Sequence, residues 1–210
     1  MFRTLVPLAL LATLSGCSDS KDASEAHFKK AAQTYLETQY PHCFVVTSFP
    51  TTTQDFDVNG TNKALHALAK VGVVTEKEIS RTEVPERLWQ PARTDIYYAY
   101  DLTDEGRKYY KADAQQLING KTAGGLCFGK PQVTAIEQFS EPGERMGQEV
   151  SRVTYAYKVT DLPKWATDEI VKANIPGLGN AVASATVPLK ETHAMVLTNN
   201  GWVHERLFAQ

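Results

Sequence analysis

The sequence has no long apolar run. Its one sustained stretch, Leu5 to Leu14, reads LVPLALLATL and is broken by Pro7 and Thr13. A helix of that length covers about 15 Å, half of a ~30 Å hydrocarbon core. The run therefore has the proportions of a signal-peptide apolar region and not of a membrane span. An excess of one charge is also missing. Lysine and arginine number 22 and aspartate and glutamate 24, for a net charge of −2. That balance argues against non-specific nucleic-acid binding and against a polybasic membrane patch. Hydrolytic signatures are absent: there is neither G-x-S-x-G nor H-E-x-x-H. The run Asn119 to Gly125, NGKTAGG, has the end of a P-loop, but Gln115 stands where its first glycine belongs, so it reads as a turn. Five histidines, His27, His42, His66, His193 and His204, show no metal-ligand spacing. No internal repeat and no long low-complexity tract occurs.

What is present begins with the end of the leader. One basic residue, Arg3, precedes the apolar run, which closes in Leu14-Ser15-Gly16-Cys17 and is followed by small polar residues. This LSGC resembles the lipobox of bacterial lipoproteins: an aliphatic residue, two small ones and an obligatory cysteine. The resemblance implies cleavage before Cys17 and acyl chains on that residue. Several chains, at roughly 0.8 kcal/mol per buried CH₂, hold a protein to a membrane where one holds only marginally. Ser18, in place of Asp, implies export to the outer membrane, facing the periplasm, in preference to inner-membrane retention. Residues 1–16 are then a signal peptide and 17–24 a tether.

With Cys17 assigned to lipid, Cys43 and Cys127 remain as an even pair in an oxidising compartment, and a disulfide is expected between them. The alternative is two buried free thiols. A nucleophilic Cys43 acting beside His42 is disfavoured, because neighbours in sequence seldom point at each other.

The mature part keeps 21 basic against 24 acidic residues, and the chain, 42% hydrophobic over its full length, can bury a proper core. Ser24 is placed to cap a helix in which Phe28, Ala31, Ala32, Tyr35 and Leu36 share one face; Pro41 ends it. CFVVTSF, Cys43 to Phe49, reads as a strand. A short helix carrying Leu65, Leu68 and Val71 stops at Gly72. Thr103 is a cap with Asp104 and Glu105 in the first turn, where carboxylates favour the helix dipole.

LHALAKVGVV (Leu65–Val74) followed by YDLTDEGRKYY (Tyr100–Tyr110) resembles the wing region of bacterial winged-helix domains over roughly 50 residues. It departs from the DNA-binding versions in charge. Glu76, Glu78, Glu83 and Glu86 offset Lys77, Arg81 and Arg87, leaving no basic face for phosphates. The resemblance then implies a scaffold for binding protein or cell wall, with no nucleic acid.

The second half reads as antiparallel strands. Val153, Tyr155, Tyr157 and Val159 alternate with polar or small residues, and a helix is expected from about Trp165 to Ala173. NIPGLGN, Asn174–Asn180, is a Gly/Pro-marked loop. Asn199-Asn200-Gly201 signals a hairpin. A two-residue Asn200-Gly201 turn sets His204 opposite Leu197, about 13 Å along the strand from His193 at ~3.3 Å per residue, too far to share an ion. A three-residue turn gives a different register, and a one-residue slip exchanges Trp202 and Val203 between the faces.

The expected fold is α+β: a helical, winged-helix-like unit at 25–122, then an antiparallel-sheet unit with one or two helices at 123–210. The expected function is a lipid-anchored envelope protein without catalytic residues, metal or cofactor, binding an envelope protein or cell-wall partner or serving a structural role. The alternatives are a periplasmic inhibitor or immunity-type protein that inserts the Asn174–Asn180 loop, and an envelope enzyme with converging polar groups in a pocket.

Overall fold

The computed structural model describes residues 21–55, 60–118 and 120–208. Cys17, its lipobox and residues 17–20 of the tether lie outside the described residues. Helix α1 (Glu25–Thr38) starts at Ser24, whose extended backbone lets its hydroxyl accept the His27 N–H. Its buried face is Phe28, Ala31, Ala32, Tyr35 and Leu36, the five residues that share helical spacing. Strands β1 (His42–Val46) and β2 (Thr51–Gln54) follow, then α2 (Thr61–Lys70), β3 (Val74–Val84) and β4 (Arg93–Leu102). A single turn, α3 (Asp104–Arg107), leads into β5 (Tyr110–Gln116), β6 (Thr122–Phe128), β7 (Lys130–Phe139), β8 (Gly143–Arg145) and β9 (Gln148–Thr160). After a 3₁₀ turn at Lys164–Thr167 come α4 (Glu169–Asn174), α5 (Leu178–Ala183), β10 (Leu189–Thr198), β11 (Gly201–His204) and α6 (Glu205–Phe208).

The fold is α+β, built on antiparallel sheets. One has the order β1-β6-β5, one β2-β4-β3, and the largest β11-β10-β9-β7 with β8 also on β9. No helix among the described residues is long and apolar enough to cross a membrane.

The hydrophobic cores do not divide at residue 122. One packs Leu65, Leu68 and Val73 with Tyr100, Leu126 and Phe128, and closes over them with Ala166, Val171, Ile175 and Leu178. The other packs the α1 face against Val133, Val153, Tyr155, Met195 and Trp202. Helix α1 thus belongs with the C-terminal sheet and α4 with the N-terminal core, while α5 gives Leu178 to that core and Ala181 to the other. A contiguous split was the natural reading because local pattern shows which face is apolar but not what covers it. Beyond this, the indole N–H of Trp202 donates to the carbonyls of Lys21 and Asp22, some 180 positions earlier, at 3.1 Å each.

One further expectation is corrected, and the register left open for the last hairpin is given by the pairing. Asn174–Asn180 is not a free loop. It is the junction of α4 and α5, and Ile175 and Leu178 are buried in the first core. The final hairpin turns at Asn199 and Asn200, with Thr198 opposite Gly201, Leu197 opposite Trp202 and Met195 opposite His204. Gly201 takes φ +101° inside the strand, a conformation open to glycine and strained for other residues. The turn therefore slides one residue toward the N-terminus of the Asn-Gly reading. Trp202 faces the core and His204 comes near His193.

The LTDEG run owes its glycine to packing. Thr103 caps α3 by accepting the Gly106 N–H, and donates its hydroxyl to the carbonyls of Gly72 and Val73. A β-carbon at Gly106 would run into the Val73 carbonyl oxygen, which is backbone and cannot swing away. Gly106→Ala should lower stability by about 1–3 kcal/mol, as overpacking does, measured as a drop in the urea midpoint at unchanged m.

Candidate functional site

Two regions carry more chemistry than a core requires. The first is a polar cluster under α1. Strand β10 places Glu191 and His193 on one face by period-two alternation, opposite Tyr155 and Val153 of β9. Tyr155 donates its hydroxyl to Glu191 Oε2 at 2.9 Å and Tyr157 donates to Glu191 Oε1 at 3.0 Å. His193 presents Nε2 to Glu191 at 3.3 Å and Nδ1 to Glu205 at 3.0 Å. His204 lies 4.6 Å from His193 between ring centroids and stacks on Tyr35 at 3.7 Å, nearly parallel.

The electrostatics of this cluster follow from burial. The Tyr155 and Tyr157 phenols are pushed well above the usual range by desolvation and by the Glu191 carboxylate they bond, so both stay protonated donors. His204 is fully buried, and desolvation together with neighbouring His193 lowers its pKa to about 4. It is therefore neutral at pH 7. Its Nδ1 accepts the backbone N–H of Arg206 at 3.2 Å, which leaves the proton on Nε2. That N–H has no partner among the described residues. For Glu205, burial works to raise the pKa, but hydrogen bonds from His193 and the Ala194 backbone outweigh it and hold the carboxyl below its ordinary value.

A cleft of ≈ 300 Å³ reaches this cluster between α1 and β10, with Tyr35, Tyr40, His42, Tyr157 and Glu191 among its walls. Converging polar groups in a pocket are what an enzyme would require. Both Glu191 oxygens, however, already accept tyrosine hydroxyls, so the carboxylate is committed to holding β9 and β10 together. Among the described residues, no group of three or more His, Cys, Asp or Glu is placed to hold a metal ion. A smaller relative of this arrangement sits in the first core, where Tyr100 donates to Glu76 at 2.9 Å and Glu76 meets His66.

The second region is the β3–β4 hairpin. Strand β3 is exposed along nearly its whole length beyond Val74, and Glu78, Arg81, Glu83 and Asp95 form local ion pairs and hydrogen bonds along the ribbon. At its tip, Arg87 and Gln90 exchange backbone hydrogen bonds at 2.9 Å around Leu88 and Trp89. Leu88 is 86% exposed and Trp89 93% exposed. Trp89 also has φ +73°, a conformation rare for a bulky residue. Neither burial nor backbone preference accounts for a tryptophan there.

Cys43 and Cys127 face each other across β1 and β6, with sulfurs 2.10 Å apart, at disulfide distance. The run Asn119–Gly125 contributes to the β5–β6 turn and to β6, and Asn119 itself lies outside the described residues. Gly124 is required where a β-carbon would meet the Tyr110 hydroxyl. The tyrosines at 97, 98, 100, 155 and 157 divide as strand alternation demands. Tyr100, Tyr155 and Tyr157 are buried, while Tyr97 is exposed on the hairpin. Sequence spacing could not find the His193–His204 approach, because it depends on where the last hairpin turns. The Leu88-Trp89 pair was visible as two apolar residues between Pro85 and Pro91, but its exposure was not.

No protein-family model matches the chain, and no curated protein or solved structure matches it either.

Proposed function

We propose that this is a lipid-anchored cell-envelope protein, held to the outer membrane through Cys17 and facing the periplasm, that works as a non-catalytic binding module. The observation that carries the binding role is the hairpin tip. A strained, solvent-exposed tryptophan beside an exposed leucine stabilises nothing in this fold, and aromatic anchors of that kind are what interfaces use. The partner is a protein with an apolar pocket that accepts an indole, flanked by polar groups matching the mixed charges of the ribbon. The order β2-β4-β3 behind α2 supports the winged-helix-like reading of Leu65–Tyr110 as the scaffold that presents this tip. An inhibitor differs only in placing the tip in an enzyme's cleft, and the hairpin replaces Asn174–Asn180 as the segment available for it.

The test is a photo-crosslinking amino acid at position 89 in the full chain, compared with one at position 145. An adduct specific to position 89, lost when Leu88 is changed to Ser, is expected. Equal adducts at both positions, or none at 89, overturn the reading. Trp89→Gly should leave stability within about 0.5 kcal/mol of the wild type, as exposed sites do. In the same cells, Cys17→Ser should move the protein out of the membrane fraction.

A further inference from the structure

The cleft of ≈ 300 Å³ between α1 and β10 is a separate feature from the hairpin tip. Tyr35, Tyr40, Phe44 and Tyr157 stand in its wall. Among the described residues, Glu191 is the one carboxylate that lines it, and no lysine or arginine does. The Glu191 side chain is 33% exposed, so its charge is open to the cleft. Its ion-pair neighbour among the described residues is His193, which also faces Glu205, and no lysine or arginine pairs with it there. His42, also in the wall, is held below its ordinary pKa by desolvation, so it adds no positive charge at pH 7.

We propose that this cleft binds a quaternary ammonium group, with Glu191 as the counter-charge and the aromatic side chains as the lining. Three features select this chemistry. A wall with a carboxylate and no basic side chain favours a cation over an anion or a neutral solute. Aromatic rings attract a cation through their quadrupole, and quaternary ammonium groups are held in this way. The third feature is the state of the carboxylate. Tyr155 and Tyr157 already donate to its two oxygens, and His193 Nε2 lies 3.3 Å from one of them. Glu191 thus offers its charge with few free lone pairs, which suits a cation without N–H donors better than a primary ammonium. The volume is about twice the ~150 Å³ that accommodates a benzene ring, room for a trimethylammonium head and part of the chain that bears it.

The experiment uses the full chain in maltoside micelles, with choline as the probe. Its neutral isostere, 3,3-dimethyl-1-butanol, has the same shape without the charge, and ethanolamine has the charge with N–H donors. The readout is the ¹H–¹³C methyl signals of Ala181 and Leu189, both in the wall. Choline should shift them saturably. The isostere should bind at least tenfold more weakly, and ethanolamine at least threefold more weakly. Glu191→Gln removes the charge while keeping an oxygen for the tyrosines, and Tyr40→Leu removes a ring from a half-buried position. Each should weaken choline at least fivefold. Gln39→Lys sets a positive charge in the wall from an exposed position at the C-terminal end of α1, where a cation suits the helix dipole. It should weaken choline at least threefold, and it decides the role of charge if Glu191→Gln does not fold. Glycerophosphocholine, the soluble headgroup of a choline lipid, would place the ligand on a lipid if it displaces choline. Failure to displace it would place the ligand among free solutes. Absence of a saturable shift, equal binding of the isostere or of ethanolamine, or wild-type affinity in the folded variants overturns the proposal.

Discussion

Replacing Cys43 and Cys127 together by alanine should lower the unfolding free energy by about 4–5 kcal/mol on the chain-entropy account of a cross-link. The size follows from sequence separation, since the two cysteines stand 84 positions apart. A link of that span removes many conformations from the unfolded chain while leaving the paired strands β1 and β6 as they are. A typical domain has only about 5–15 kcal/mol in all, so the double variant should sit near the edge of folding at 37 °C. Urea denaturation of the wild type with and without a reductant measures the same quantity without mutation. Matching midpoints in the two conditions would mean that the pair contributes nothing. The cross-link had been expected to join two halves of the molecule. It joins residues from either side of position 122, yet both strands belong to one sheet, so it acts within a layer and not between domains.

Acidification should weaken the fold through His204. Its folded pKa, about 4, lies below the ordinary 6.5. The unfolded chain therefore takes up this proton first, and stability rises with pH across that window. The contribution is complete above pH 6.5 and is lost as pH falls toward 4, for a total of about 3 kcal/mol at ~1.4 kcal/mol per unit. The groups facing the ring are His193 and Glu191 from β10, Glu205 and Arg206 from α6, and Tyr35 from α1. Glu205, whose pKa is lowered, adds a loss of the same sign below its ordinary 4.5. Titration between pH 6.5 and 5 therefore isolates the histidines. His42, also lowered by burial, contributes in that window. His204→Phe should flatten most of the dependence there, and an unchanged slope in that variant would remove His204 from the account.

Much of this architecture is visible in the chain before folding. The α1 face and the β9 alternation follow from periodicity alone, because a helix on a sheet needs one apolar stripe and a strand one apolar side. The caps at Ser24 and Thr103 are local chemistry and fall where local chemistry puts them. What periodicity does not encode is partnership. Nothing between Phe28 and Leu36 says that their cover is Val153 and Trp202, and nothing in Ile175 and Leu178 says that they close over Leu65. The polar cluster was hidden for the same reason, since Glu191, His193 and His204 meet only once β11 is in register. That register rests on one choice of turn, Asn199-Asn200 over Asn200-Gly201. The hairpin tip was hidden for the opposite reason. The stretch between Pro85 and Pro91 reads as a polar connection, and only the three-dimensional arrangement shows Leu88 and Trp89 standing exposed at its tip.

The clasp between Trp202 and the carbonyls of Lys21 and Asp22 has a consequence for the order of folding. The first helix finds part of its cover in the last strand, so the contact closes a loop of nearly the whole chain, the slowest kind to form. Until Gly201 to His204 are available, Phe28 has no indole against it and the α1 face stays partly bare. A chain cut short by ten residues would keep most of its sheets yet expose its opening helix to proteases. In this topology, the arrival of Gly201 to His204 is what lets the first helix settle.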